Sequence, residues 1–169
     1  WFCAATAAEL EMMEQQGTLL KATLELEPDQ ELMLETLDKY AGGLLVAGEY
    51  QQAARIFEQM LAQPGLPDGV RVNALFRIAI AYGALKDLKA ARAAINQALQ
   101  LLPNEPQLLM RLAAIEAMDG KLEVAEGILL GAVAALEGRR EERGELLIDA
   151  RLQLAGVYSR RGQWENAAE

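Results

Sequence analysis

The chain of 169 residues has no histidine, one cysteine (Cys3) and one serine (Ser159). Nucleophilic catalysis of the Ser/His or Cys/His type needs a base beside the nucleophile, and structural zinc sites are built from His and Cys. The sequence lacks these parts, so we expect no enzyme, no bound metal and no cofactor. A single cysteine cannot form an internal disulfide, and it gives no evidence about the cellular compartment.

Residues that favour β-strands are scarce. Val and Ile together number 13 and Thr 4, whereas Ala numbers 30 and Leu 29. Alanine and leucine are strong helix formers, while β-branched residues are enriched in strands. The composition therefore predicts an all-α protein.

Basic residues are scarce in the first part of the chain. Residues 1–70 hold 12 acidic and 3 basic residues, residues 71–169 hold 13 of each, and the net charge is −9. Without a concentrated basic stripe the chain is not expected to bind nucleic acid. The longest uncharged apolar run, residues 127–136, has ten residues, about half of what crosses a bilayer. We therefore expect no membrane insertion within this sequence.

The sequence contains an internal repeat. The segments 40–61, 78–99, 112–133 and 154–169 align without gaps, with Gly48, Lys86, Gly120 and Gly162 at equivalent positions. These four residues are separated by 38, 34 and 42 residues, which indicates a 34-residue repeat with insertions of four and eight. The insertions fall at 63–69, which contains two prolines and two glycines, and around 137–144.

Each repeat is predicted to form a helical hairpin. Apolar residues recur at spacings of three and four on both sides of each turn, which is the pattern of two amphipathic helices. The predicted helices are 30–47 and 50–62, 69–85 and 88–101, 105–118 and 122–136, and 145–161 and 164–169, preceded by helix within 4–27. We expect Asp68, Asp87 and Asn104 to cap the helices that follow them. Small residues at the predicted helix crossings are Ala41, Ala53, Ala79, Ala91, Ala113, Ala125, Ala155 and Ala167.

The pattern resembles the tetratricopeptide repeat (TPR) family, whose repeat has 34 residues in two helices. The segment 72–105 matches best, since Leu75, Ala79, Tyr82, Ala91 and Pro103 occupy positions where the family has these residue types. Departures are Lys86 at the family's glycine, and Glu116 and Arg151 at usually apolar positions. The resemblance implies a TPR domain over 30–169, with repeats at about 34–67, 72–105, 106–139 and a truncated one at 148–169. Residues 1–29 form an N-terminal helix or, alternatively, a degenerate repeat.

The resemblance implies an all-α, right-handed TPR-type solenoid of antiparallel helix pairs with a concave surface that binds a peptide or protein. We therefore expect a noncatalytic protein–protein interaction scaffold that is part of a larger protein. In the family, first-helix positions line the concave face. The candidate partner-binding groove comprises Asn73, Phe76, Arg77, Ile80, Gln107, Met110, Arg111, Ala114, Met118 and Leu152.

Three alternatives stay open at the level of sequence. Arg77 and Arg111 could hold an acidic residue of a partner, or could pair with acids of a neighbouring repeat. Phe76 and Met110 could anchor a ligand, or could be covered by the following helix. The whole domain could instead be a structural spacer or a self-association module, a homo-oligomer formed through exposed ends.

Overall fold

The computed structural model of the chain describes residues 17–18, 30–137 and 144–162. All regular secondary structure in these ranges is helical. The chain divides into two compact units, Trp1–Asp87 (unit 1) and Leu88–Glu169 (unit 2). The predictions for 4–27, apart from the helical residues 17 and 18, and for 164–169 lie outside the described residues.

The described helices lie where the sequence predicts them. Unit 1 contains α1 (Gln30–Ala47), α2 (Tyr50–Leu61) and α3 (Asp68–Ala84). Unit 2 contains α4 (Leu88–Leu101), α5 (Pro106–Met118), α6 (Leu122–Glu137) and α7 (Gly144–Arg161). Each end is within one residue of its predicted position, because the apolar periodicity stops there, in most cases beside a glycine or proline.

The two units repeat one packing scheme. In unit 1, α1 and α2 form a hairpin, and α3 packs against α2 and also contacts α1. In unit 2, α4 packs against α5, α5 and α6 form a hairpin, and α7 packs against α6 and also contacts α5. Within each unit the first helices of successive repeats therefore lie side by side, α1 beside α3 and α5 beside α7.

The hairpin turns share one backbone conformation. Gly48, Lys86, Gly120 and Gly162 all have positive φ, of 84°, 61°, 80° and 74°. At the first three turns, the turn residue donates its N–H to the carbonyl three residues earlier, and the next residue donates to the carbonyl five residues earlier. This is the Schellman pattern, which satisfies carbonyls at a helix end and favours glycine. Lys86 adopts this conformation without being a glycine.

The alanines predicted at helix crossings are buried. Ala41 and Ala53 in unit 1, and Ala113 and Ala125 in unit 2, have no exposed surface. Ala79 and Ala91 are equally buried, whereas Ala155 is only partly so. Side chains this small let two helix backbones approach closely, so the prediction is confirmed for the crossings of α1 with α2 and of α5 with α6.

The capping predictions for Asp68 and Asn104 are wrong. Pro67 is the N-cap residue of α3, and Asp68 lies in the first turn. Glu105 is the N-cap residue of α5, followed by Pro106 as the first helical residue, and neither cap makes a side-chain hydrogen bond. Asn104 instead has a φ of 64°, in the left-handed region that asparagine tolerates. The prolines set where these helices begin.

The loop between α2 and α3 is fixed on both sides. Its Leu66 is buried, the Nε2 of Gln30 donates a 2.9 Å hydrogen bond to the carbonyl of Pro64, and Arg71 donates one of 3.4 Å to the carbonyl of Leu66. The four-residue insertion is therefore held against α1 and α3.

Candidate functional site

A pocket opens in unit 1 between α1, α3 and the loop that precedes α3. Its volume is about 690 Å³, within the range typical of ligand sites. The residues that line this unit 1 pocket are Gln30, Glu31, Leu34, Glu35, Asp38, Gly65, Pro67, Gly69, Val70 and Asn73.

The side of the pocket that α1 forms carries three acidic residues and one apolar residue. Glu31, Glu35 and Asp38 are spaced by four and three residues, which places them on one side of the helix. Leu34 lies between them and is buried, while α3 contributes Val70 and Asn73 from the opposite side. The helical period thus brings three carboxylates to one edge of the pocket.

Two cations neighbour these carboxylates. Lys39 lies one turn beyond Glu35 and donates it a 2.7 Å hydrogen bond, which lowers the pKa of that carboxyl below its ordinary value. Both side chains are largely exposed, so we expect the pair to add little stability. Arg77 is the second cation.

Arg77 links α3 to both other helices of unit 1. Its Nε lies 3.4 Å from Oδ1 of Asp38 and donates a 3.2 Å hydrogen bond to Oδ1 of Asn73. Its guanidinium carbon lies 5.8 Å from the centre of the Phe57 ring, within cation–π distance. Gly42 leaves room for it, because a Cβ atom there would lie 3.1 Å from Nη1 of Arg77. Arg77 therefore pairs with an acid of the preceding repeat, the second of the two roles that the sequence left open.

The other candidate residues of unit 1 differ in accessibility. Asn73 is exposed and lines the unit 1 pocket. Phe76 and Ile80 are half-buried on α3 and are not among the lining residues. In unit 1 the structure therefore brings Asn73 and Arg77 to this pocket region and leaves Phe76 and Ile80 outside the lining.

The candidate residues of unit 2 fall into two groups. Met118 and Leu152 are exposed, by 51% and 65%, and Gln107 is exposed as well. Met110 is only 4% exposed and belongs to the hydrophobic core that α5 shares with α6 and α7. That burial corresponds to the alternative in which neighbouring helices cover Met110, so a ligand cannot reach it without repacking. Ala114 is half-buried.

Arg111 is half-buried on α5. Burial lowers the pKa of Arg111 below its ordinary value, and the nearby carboxylate of Asp149 on α7 acts in the opposite direction. The sequence left open that Arg111 pairs with an acid of a neighbouring repeat, and Asp149 is an acid of the following repeat. Desolvation of the guanidinium makes Arg111 a poorer surface contact than its position in the sequence suggests.

Sequence reasoning left out most of the lining of the unit 1 pocket. Glu35 and Asp38 occupy first-helix positions equivalent to those of Asn73 and Phe76, so the repeat register places them on the same face. Gly65, Pro67, Gly69 and Val70 come from the insertion and the start of α3. The only signal for them is the insertion itself, because a loop's path across a surface is not encoded in helical periodicity.

An ion-pair cluster around the buried Glu116 lies in unit 2, at the repeat position that Tyr82 occupies in unit 1. In unit 1, the hydroxyl of Tyr82 donates a 2.6 Å hydrogen bond to Oε1 of Glu58, 24 residues earlier, which raises the pKa of Tyr82. In unit 2, Glu116 accepts hydrogen bonds of 2.5 and 3.1 Å from Arg92, also 24 residues earlier. Glu116 thus replaces a usually apolar residue and keeps a polar contact to the preceding helix.

Two further groups complete this cluster. Arg92 also contacts Asp119 at 2.7 Å, and Nζ of Lys121 lies 2.7 Å from Asp119 and 3.6 Å from Glu116. The hydrogen bond from Arg92 holds the pKa of the buried Glu116 carboxyl below its ordinary value, against the effect of burial. The cluster ties α4 to the end of α5, and we assign it a structural role.

Solved structures that resemble the chain are helical repeat proteins. A variant of the nearly identical TPR-like repeats of a Podosopora anserina protein, assigned as a kinesin light chain, superposes with a TM-score of 0.79 at 19% identity, covering 95% of this chain and 82% of that one. PcrH in complex with the chaperone binding region of PopD gives 0.67 at 20% identity, covering 79% and 96%. The type III secretion translocator chaperone SycD of Yersinia enterocolitica gives 0.66 at 18%, covering 81% and 91%.

The fold is all-α and of the tetratricopeptide-repeat type. No protein-family model and no curated protein sequence matches the chain, so this TPR-type assignment stands on structure and on the repeat pattern. In the described ranges, no helix combines the length and the apolar character that a membrane span requires.

Proposed function

We propose that the chain is a noncatalytic interaction scaffold that holds a peptide or protein segment against the first helices of its repeats. The observation that carries the proposal is the unit 1 pocket, a cavity of about 690 Å³ between the first helices α1 and α3. A cavity of this size, with an apolar base and a few polar groups, suits side chains of a bound segment. The TPR-type fold supports the proposal, since PcrH, a similar structure, is in complex with the chaperone binding region of PopD.

In unit 2 the corresponding face carries exposed apolar side chains. Met118 and Leu152 belong to the side-by-side helices α5 and α7. The flexible side chain of Met118 can adapt to ligands of different shape. We therefore include Gln107, Met118 and Leu152 in the proposed surface and leave Met110 out of it.

The test is to block the pocket without disturbing the fold. Gly69 lines the pocket near the start of α3, and a Cβ atom there would meet no other atom within 4 Å. Gly69→Trp should therefore place an indole at the pocket wall. Gly127→Trp is the matched control, because Gly127 is exposed on α6 and its Cβ position is equally open.

The probe is a random twelve-residue peptide library displayed on phage. The wild-type chain and Gly127→Trp should enrich the same peptides, and Gly69→Trp should bind them at least about tenfold more weakly, as expected when a central contact is lost. Equal binding by Gly69→Trp, with its helicity retained by circular dichroism, would contradict a role for the pocket.

Self-association is the second candidate function. Exposed large apolar side chains occur on α6 (Val124 and Leu130) and α7 (Ile148 and Leu152), and such residues mark possible contact surfaces when they form a patch. Sedimentation of the chain over a concentration series tests this function. Dimers that Leu152→Gln abolishes would support it, and a concentration-independent monomer would contradict it.

A further inference from the structure

We infer that the unit 1 pocket takes a lysine or arginine side chain from the bound segment. This inference rests on the proposed function and adds the chemical class of the partner at one site. Three of the ten lining residues are the carboxylates Glu31, Glu35 and Asp38, and none of the ten is Lys or Arg. The pocket therefore offers acceptors for a cation, and no cationic side chain lines it.

The neighbouring cations do not cancel this preference. Arg77 is shared between Asp38 and Asn73, and Lys39 is bound to Glu35 from the solvent side, 74% exposed. The starts of α1 and α3 add positive partial charges of about half a unit each. Asp68, in the first turn of α3, offsets one of them, and Arg71 is engaged by the loop, where it donates a hydrogen bond to the carbonyl of Leu66. Glu31, exposed in the first turn of α1, is the carboxylate most available to a ligand.

The apolar part of the lining suits the stem of the same side chain. Leu34, Pro67 and Val70 provide a surface for the methylene groups of a lysine or arginine, while the carboxylates contact the charged head. The volume of about 690 Å³ exceeds that of one side chain. A basic residue together with a flanking residue of the segment therefore fits better than an isolated small cation.

A metal ion is a poorer occupant. Among the residues that the structure describes, no three carboxylate or cysteine side chains converge closely enough to hold one. The three pocket carboxylates are strung along two turns of α1, which matches an extended guanidinium or ammonium side chain better than one compact ion.

The overall charge of the first unit would assist such a partner. Residues 1–87 hold 13 acidic and 6 basic residues, whereas residues 88–169 hold 12 and 10. A negative field raises the association rate of a basic segment and weakens with salt. The pocket then determines where the basic side chain is held.

The experiment compares three proteins on the same phage-displayed library. They are the wild-type chain, the variant E31Q/E35Q, and the control E49Q/E145Q, which removes the same two charges at exposed positions outside the pocket. Circular dichroism and melting midpoints confirm that all three are folded. The best selected peptide is then synthesised with its basic residues intact and with glutamine in their place.

We expect a preference for the basic peptide over its glutamine form that requires both the basic residues of the peptide and the carboxylates of the pocket. The wild-type chain and E49Q/E145Q should select peptides enriched in Lys or Arg, and should bind the basic peptide roughly three- to tenfold more tightly than its glutamine form. E31Q/E35Q should bind the two peptides equally. The preference should shrink at high salt, because partly exposed charges are screened.

Two outcomes overturn the inference in different ways. Selected peptides without basic residues, or a basic preference that E31Q/E35Q retains, would refute the basic side chain and leave the scaffold function standing. A wild-type chain that enriches no peptide at all would contradict the proposed peptide-binding function, and the inference with it.

Discussion

At the scale of single residues, the turn positions show how one departure from the repeat pattern is accommodated. Lys86 has a φ of 61°, whereas the equivalent residues Gly48, Gly120 and Gly162 are glycines. A residue with a side chain in the left-handed region loses roughly 1–2 kcal/mol of stability. A glycine there avoids this strain but loses about 0.5–1 kcal/mol, because its unfolded state has more conformational entropy. Lys86 is thus a point of local strain.

Lys86→Gly should therefore raise the free energy of unfolding by about 0.5–1 kcal/mol. Urea unfolding followed by circular dichroism measures this change. Asn104→Gly is the control, because asparagine at its φ of 64° is less strained and the gain should be smaller. A lower midpoint for Lys86→Gly would show that the lysine side chain makes a stabilising contact that outweighs the strain.

A second residue-scale prediction concerns Glu116. Its hydrogen bonds with Arg92 lower its pKa from the ordinary 4.5, so its charge stabilises the folded state above that pH, and the contribution is lost as the pH falls through the lower folded-state pKa. Glu116→Gln should cost about 1–3 kcal/mol at pH 7, because it removes a charge-assisted pair.

The difference between wild type and Glu116→Gln should shrink as the pH is lowered from about 5 to about 3. Urea midpoints of both proteins across this pH range measure it. Glu145→Gln, at an exposed position in the first turn of α7, controls for the loss of a surface acid. If the difference between the two urea midpoints did not change with pH, Glu116 would stabilise the fold through its shape and not through its charge.

At the scale of helices, alanines set how closely the two arms of a hairpin pack. Ala125 on α6 is fully buried, whereas Ala134 on the same helix is exposed. Ala125→Leu should overpack the crossing and cost about 1–3 kcal/mol. Ala134→Leu should leave the melting midpoint nearly unchanged. Equal midpoints for the two variants would place Ala125 on the surface and contradict the repeat register.

Helix positions could be read from the sequence because their signals are local. The apolar spacing, with a glycine or proline at most boundaries, decides them within a few neighbouring residues. Side-chain accessibility is different, since it depends on which helices pack against a position. Met110 and Leu152 occupy equivalent repeat positions, yet one is buried in the core of unit 2 and the other is exposed. The sequence could therefore predict which helix face carries the candidate site, but not which residues of that face are accessible to a ligand.

The insertion before α3 shows the same limit. Two prolines and two glycines predict a loop at 63–69, and α2 and α3 do end and begin there. The burial of Leu66 and the hydrogen bond from Gln30 to Pro64 depend on contacts with distant residues. These contacts form one side of the unit 1 pocket, which the repeat pattern alone does not reveal.

At the scale of the whole molecule, the proposed binding region lies in the first unit, which also carries most of the charge. Most of the net charge of −9 lies in residues 1–87, and the unit 1 pocket lies there as well. Several of the groove residues chosen in unit 2 are partly or fully covered. In each unit the first helices of two repeats lie side by side. Peptide binding to this surface can therefore be tested in each unit independently.

The most direct test of the proposed scaffold function is an NMR titration of the ¹⁵N-labelled chain with a library-selected peptide. We predict amide shift changes that cluster at the unit 1 pocket, on Glu31, Glu35, Val70 and Asn73, with smaller changes at Met118 and Leu152. Changes confined to the exposed face of α6, or binding that leaves the amides of α1 and α3 unshifted, would contradict it.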